Sequence, residues 1–277
     1  MVDINIANTQ QLGDWFIAQG SVTVACSGGI DSLLLAHIAS ARYGKRVRVV
    51  HAVSAAVPPE ATSRVLEQGR LHGWQVETVR TGEFDDEFYL ANPVDRCFHC
   101  KSHLYSLLNK LAVCATNKGG CIVSGANQDD LGEYRPGLRA AAAHGVKHPY
   151  IELGFGKSAI RDMASALGLP YAKLPASPCL ASRLYTGTRV TPERLSFVHR
   201  AEKFVRERTG CDVVRCRIDK HTMRVELPVD QNHLFGESEL EALRVLASTY
   251  LPELTAIVLD DRPYAPGRAF VRNGVEI

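Results

Sequence analysis

The chain has 277 residues, of which 45% are hydrophobic and 22% charged, and it carries a net charge of +2. This is the balance of an ordinary globular protein with one large domain or two modest ones, and so small a charge gives no global pull toward nucleic acid or a membrane surface. No apolar run approaches the ~18 residues of a membrane-spanning helix, and the N-terminus lacks the basic and apolar regions of a signal peptide; a cytoplasmic protein is therefore expected, with its eight cysteines serving as core residues or metal ligands rather than disulfides.

Along the first two thirds, short apolar runs alternate with helical patterns. Val22–Cys26 reads as a buried strand, and Ile30, Leu33, Leu34 and Ile38 then recur at helical spacing. Val47–Val53 is a second strand, Pro58–His72 a helix, and Val76–Val79 a third strand. Leu104, Leu107, Leu108 and Leu111 mark a helix before the strand Cys121–Ser124, and Ile160, Met163, Ala164 and Leu167 mark one more, stopped by Gly168 and Pro170. This order predicts right-handed βαβ units, hence an α/β fold with a parallel sheet, helices on both faces, and ligands at the carboxyl ends of the strands. From Leu174 to Thr191 the pattern breaks into Pro, Ser, Gly and Arg. Beyond it come a helix (Leu195, Val198, Ala201, Val205), strands Val213–Ile218 and Thr222–Leu227, a helix near Leu240–Leu246 and a strand at Ala256–Leu259. That succession predicts a small α+β domain over residues 190–277 after a first domain of residues 1–175.

Ala25-Cys26-Ser27-Gly28-Gly29-Ile30-Asp31-Ser32 joins the first strand to the first helix. Its glycines allow a tight turn and a close approach to a ligand. The helix N-terminus adds unpaired N–H groups and a partial positive charge for an anion. Ser27 and Ser32 supply hydroxyls, and Asp31 can orient the loop or hold Mg2+. The bland alternative is a helix cap with a flexible approach. Ser-Gly-Gly-x-Asp-Ser after a first strand resembles the signature of the PP-loop ATP pyrophosphatases (adenine nucleotide alpha hydrolase-like), which split ATP to AMP and pyrophosphate. The resemblance implies ATP and Mg2+ bound at Ala25, Ser27, Gly28, Gly29, Asp31 and Ser32, with Val53 and Gly125 at the ends of neighbouring strands.

Asn92-Pro93-Val94-Asp95-Arg96-Cys97-Phe98-His99-Cys100-Lys101 places a CxxC in a turn just before a helix, where the helix N-terminus, Arg96 and Lys101 favour thiolates. A closed zinc site or a four-thiolate cluster needs four ligands, and there is no second CxxC. The best third ligand is Cys179, in the irregular link. Cys26, Cys114, Cys121, Cys211 and Cys216 read as small buried hydrophobes. On spacing alone, zinc (completed by His99 or His103) and iron–sulfur both stay open.

Ser124-Gly125-Ala126-Asn127-Gln128-Asp129-Asp130, Tyr134-Arg135-Pro136-Gly137, Leu174–Arg183, Tyr185–Thr188 and Asp260–Arg268 together resemble the LarE family of sulfur transferases, and the likeness spans nearly the whole chain. It implies adenylation of a carboxylate on a pyridinium dicarboxylate mononucleotide, then displacement of AMP by sulfur, in nickel-pincer nucleotide synthesis. It also implies that Cys97, Cys100 and Cys179 hold a [4Fe-4S] cluster, with Cys179, Asp31 and Arg183 catalytic. Arg215 and Arg217, which alternate on one strand face, are implied to bind the substrate phosphate with Arg96 and Lys101; a solvated basic strand face is the alternative. Sulfide or a sulfur-donating protein would be the partner, in a homo-oligomer. One departure is Gly156 before Lys157, where the family usually has a hydroxyl residue, so the following helix lacks its expected cap. A tRNA thiolation enzyme is the competing reading, but it calls for a broad basic surface or an RNA-binding module. An amide ligase with structural zinc is the third.

Overall fold

The computed structural model describes residues 2–115, 120–132, 134–176, 178–262, 264–265, 267–272 and 275–276, without the side chains of residues 2, 3, 113–115 and 276. Four residues discussed above, Cys114 (side chain), Ser177, Pro263 and Pro266, lie outside this description. The chain forms two compact units, one of residues 1–82 and 97–177, the other of residues 83–96 and 178–277.

The first unit opens with helix α1 (Val2–Ile17), then β1 (Val22–Ala25), α2 (Ile30–Tyr43), β2 (Val47–Ala52), α3 (Pro59–His72) and β3 (Gln75–Val79). The chain next forms the short helix α4 (Glu87–Leu90) of the second unit, and α5 (Arg96–Ala115) returns it to the first. There β4 (Cys121–Ser124), α6 (Pro136–Ala143), α7 (Pro149–Glu152) and α8 (Lys157–Ala166) complete the unit. The four strands are parallel, in the order β3-β2-β1-β4. Val22 and Val24 of β1, Val47 and Val49 of β2 and Val123 of β4 pack with α1, α2 and α8. Ala25, Val50 and Ile122 pack with Leu104, Tyr105 and Leu108 of α5 and Ala140 and Ala141 of α6. Successive residues therefore feed opposite faces, and helices cover both sides, as the alternation of short apolar runs with helical patterns predicts. Strand order reverses between β1 and β4, which makes the loops after these two strands the walls of a crevice at the carboxyl end of the sheet. Among the described residues no helix is long and apolar enough to cross a membrane.

In the second unit α9 (Pro192–Thr209), capped by Thr191 through a bond from the Arg194 N–H, precedes β5 (Arg215–Asp219), β6 (Thr222–Glu226), α10 (Glu237–Tyr250) and β7 (Ala256–Leu259). β5 and β6 are antiparallel, β6 and β7 parallel. The segment 83–96, placed by sequence in the first domain, is tied into this unit by Asn92. Asn92 is buried in the left-handed region (φ 55), and its Nδ2 donates to the carbonyls of Tyr185 and Thr188 at 2.8 Å each.

Candidate functional site

The loop after β1 is wrapped around the Ser32 hydroxyl. Its Oγ accepts from the Ser27 N–H (3.0 Å) and donates to the Gly29 carbonyl (3.0 Å), and the Ser27 hydroxyl lies 3.1 Å away. Gly28 has φ +82, and a Cβ there would stand 2.6 Å from the Ala61 carbonyl oxygen, so only glycine fits. Arg64 Nε donates to the Gly28 carbonyl at 2.9 Å. His51, fully buried at the end of β2, fixes the loop's base: Nδ1 lies 2.8 Å from the Cys26 carbonyl and Nε2 2.9 Å from the Thr62 hydroxyl. A carbonyl only accepts, so Nδ1 carries the proton and Nε2 accepts from Thr62. Burial lowers the His51 pKa and keeps the ring neutral. The Val53 N–H, one residue past the end of β2, is engaged by the Val79 carbonyl (2.8 Å).

The loop after β4 approaches the same helix start. A Cβ on Gly125 would lie 2.9 Å from the Ser32 nitrogen, so this glycine lets β4 abut the first turn of α2. Asn127, fully buried, donates from Nδ2 to Asp31 Oδ2 (3.1 Å), and its Oδ1 accepts from the Asp129 N–H (3.1 Å). The Asn127 N–H in turn donates to Asp130 Oδ2 at 3.1 Å. Asp130 also pairs with Arg135 (3.0 Å) and more distantly with Lys157 (3.8 Å). Burial, and then the Asp130 charge, raise the Asp31 pKa, while Asn127, Lys157 and Arg161 pull it back. Carboxylates and cations thus face one another beside the first turn of α2. Sequence reasoning quoted Asn127, Asp130 and Lys157 but gave them no role. The clustering of an amide and two acids directly after a strand was the available signal.

In the second unit, Arg183 is anchored rather than extended toward solvent. Its Nε and NH2 grip Glu202 at 2.8 and 3.2 Å, and NH1 donates to the Pro178 carbonyl (2.9 Å), the Ser182 hydroxyl (2.9 Å) and the Cys179 carbonyl (3.3 Å). Burial would lower this guanidinium's pKa, but the Glu202 carboxylate overrides it and holds the pKa above its ordinary value. Arg217 is equally committed, with Nε on Glu226 (2.8 Å), NH1 on the Ser182 carbonyl and NH2 on the Ala265 carbonyl (2.9 Å each). Arg215 lies over the Tyr264 ring, its guanidinium carbon 5.0 Å from the centroid, and burial and then the Arg183 charge lower its pKa. Arg96 meets Asn92 Oδ1 and the Phe270 ring. Glu202 and Glu226, which organise this cluster, escaped the sequence reading. Glu202 lies between Ala201 and Val205 on the buried stripe of α9, and an acid on an apolar stripe was the clue.

The described cysteines are thiols, not disulfides. Cys97 and Cys100 stand in the first turn of α5 itself, three residues apart and half-buried. The helix therefore begins earlier than the sequence predicts, directly after a turn closed by the Arg96 N–H on the Pro93 carbonyl (2.9 Å). Lys101, in the next turn, lies beside Gly137, where an added Cβ would come within 3.2 Å of the Lys101 Cγ. Cys179 is exposed and belongs to the second unit. Cys26, Cys211 and Cys216 are buried, and burial raises the Cys26 and Cys216 thiols. Among the described residues, no group of three or more His, Cys, Asp or Glu side chains is drawn close enough to hold a metal ion. Within the first unit Cys97 and Cys100 share one turn near a helix N-terminus, and within the second Cys179 neighbours the Arg183 charge, settings that each favour the thiolate form.

No family model matches the chain. An uncharacterized protein of Synechocystis is 37% identical to it over 235 residues, 85% of each chain. An uncharacterized protein of Methanocaldococcus jannaschii is 24% identical over 218 residues, 79% of this chain and 82% of its own. The pyridinium-3,5-bisthiocarboxylic acid mononucleotide synthase of Lactiplantibacillus plantarum is 33% identical over 208 residues, 75% of this chain and 74% of its own. With this identity over three quarters of both sequences, the chain belongs to the LarE family.

Proposed function

We propose that the chain is an ATP-dependent sulfur transferase, which adenylates a carboxylate of a pyridinium dicarboxylate mononucleotide and converts it to a thiocarboxylate for nickel-pincer nucleotide synthesis. What carries the reading is a glycine-specific loop at a strand-order reversal, with Asp31 beside it, in a chain whose relative is named for making a pyridinium bisthiocarboxylate. As a PP-loop enzyme it would hold the ATP phosphates on the amides of Ser27, Gly28 and Gly29 and on the N-terminus of α2. Asp31 would orient Mg2+-bound pyrophosphate. A substrate carboxylate oxygen attacks the α-phosphorus, pyrophosphate leaves, and hydrosulfide then attacks the acyl carbon and expels AMP. Arg215 and Arg217 are the strand arginines for the substrate phosphate, and both are already oriented by the protein, Arg215 by the Val214 carbonyl and the Tyr264 ring and Arg217 by Glu226 and two carbonyls. Arg183 sets the backbone at Cys179, and Arg96 and Lys101 stand beside Cys97 and Cys100 in sequence as further phosphate or thiolate partners.

Cys97, Cys100 and Cys179 would hold a [4Fe-4S] cluster, which when bound supplies an iron without a protein ligand for the incoming sulfide. We place this enzyme in the cytoplasm, as a homo-oligomer fed by sulfide or a sulfur-donating protein. Anaerobic incubation with ATP tests the reading: AMP and pyrophosphate are expected, and ADP as the product contradicts it.

A further inference from the structure

Helix α8 begins at Lys157 with Gly156 as its N-cap, a residue with no side chain to accept from the first-turn amides. The acceptor comes instead from 28 positions away: Asp129 Oδ2 takes the Lys157 N–H at 2.6 Å. The arrangement needs the glycine, because a Cβ at position 156 would stand 2.8 Å from that carboxylate oxygen. The Gln128 N–H also donates to the Phe155 carbonyl (3.0 Å), so the β4 loop and the start of α8 are joined on both sides of the cap. Asp129 is itself held, through its N–H, by the Asn127 amide that grips Asp31. One chain of hydrogen bonds therefore runs from the first turn of α2 to the first turn of α8. At its far end Lys157 reaches toward Asp130, and its charge acts on Asp31.

We propose that Asp129 is a positioning residue, which caps α8 from the β4 loop and so fixes Lys157 relative to Asp31 and the phosphate loop. The proposal rests on the reading of that loop as a nucleotide site, but the cap can be judged without it. A carboxylate at a helix N-terminus satisfies an orphan amide and complements the helix dipole. Without it the first turn frays, and it must be re-formed each time nucleotide binds, so the cost appears in the dissociation constant rather than in the chemical step.

The test compares Asp129→Ala, Asp129→Asn and the double variant Asp129→Ala/Gly156→Ser with the wild type in the full chain. Thermal melts and calorimetric titration with Mg2+ and ATP are the readouts. Asp129→Ala should lower Tm and weaken ATP binding by about fivefold to tenfold, the factor a lost cap corresponds to, with pyrophosphate release at saturating ATP changed far less. Asp129→Asn keeps the accepting oxygen and should restore both properties. The double variant should also restore both, because serine at 156 caps the helix itself once the carboxylate has gone. If the double variant regains Tm but not ATP affinity, Asp129 acts on the nucleotide directly and positioning is overturned. An unchanged Tm in Asp129→Ala overturns the cap. Should the wild type bind no ATP, the nucleotide reading fails, while the order of the Tm values still decides the cap.

Discussion

Replacing Arg183 with methionine should unfold the second unit far more readily while leaving a chain of nearly the same volume. Both members of the Arg183–Glu202 pair are buried, with side chains 4% exposed, so the substitution strands a carboxylate away from water. Removing one partner of a buried pair costs about 3–5 kcal/mol. The low end applies here, because the Cys216 N–H still donates to Glu202 Oε1 (3.3 Å) and Arg206 stands 3.6 Å from Oε2. For a unit of this size, ~3 kcal/mol corresponds to a fall in Tm of at least ~10 °C. Urea and thermal melts followed by far-UV circular dichroism measure it. Arg183→Met/Glu202→Leu should recover most of the loss, since an apolar pair of similar volume is often as stable as a buried ion pair. A loss below about 1 kcal/mol in the single variant would refute the anchoring role. Recovery of stability without activity in the double variant would give Arg183 a direct part in the chemistry as well.

Gly28→Ala places a side chain at φ +82 and against the Ala61 carbonyl, so it should cost at least ~1–2 kcal/mol in urea melts and abolish ATP binding; wild-type affinity would contradict the loop geometry. For His51, whose pKa burial lowers, the unfolded chain takes up the proton first as pH falls through about 6.5, so its stabilising contribution is complete above that pH and lost below it. His51→Gln should therefore flatten the fall in stability between about pH 7.5 and 5.5, and an unaltered pH dependence would refute this. Single Cys97→Ala, Cys100→Ala and Cys179→Ala variants should each lose the visible absorption and bound iron of anaerobically prepared protein. Cys26→Ala and Cys121→Ala should keep both, and full iron in Cys97→Ala would remove the cluster from the account.

The strands of the first unit were legible because helices cover both faces of the sheet, which makes Val22–Ala25 and Val47–Ala52 mostly apolar, with valine at Val22, Val24, Val47, Val49 and Val50. Helix α1 was not, since it buries Leu12 and Phe16 while exposing Ile4, Ile6 and Ile17, and so has no clean apolar stripe. The tight turn after β1 could be read because its residues are adjacent in sequence and its glycines follow from backbone sterics. The features that organise the rest join residues far apart in the chain, as Asp129 joins Lys157 and Arg183 joins Glu202, and no local pattern records such a partner. Arg215 and Arg217 illustrate the limit: their shared strand face was visible, but the capture of Arg217 by Glu226 and two carbonyls depends on the folded link.

If Cys179 is a cluster ligand and not a sacrificed sulfur donor, sulfur moves onto the adenylated carboxylate while every cysteine of the chain is retained. The most direct measurement is mass spectrometry of both product and polypeptide after anaerobic turnover with ATP, Mg2+, sulfide and pyridinium-3,5-dicarboxylic acid mononucleotide. Several equivalents of thiocarboxylate and AMP per chain are expected, with the polypeptide mass unchanged. A single turnover that leaves dehydroalanine at position 179, or no thiocarboxylate at all, would contradict it.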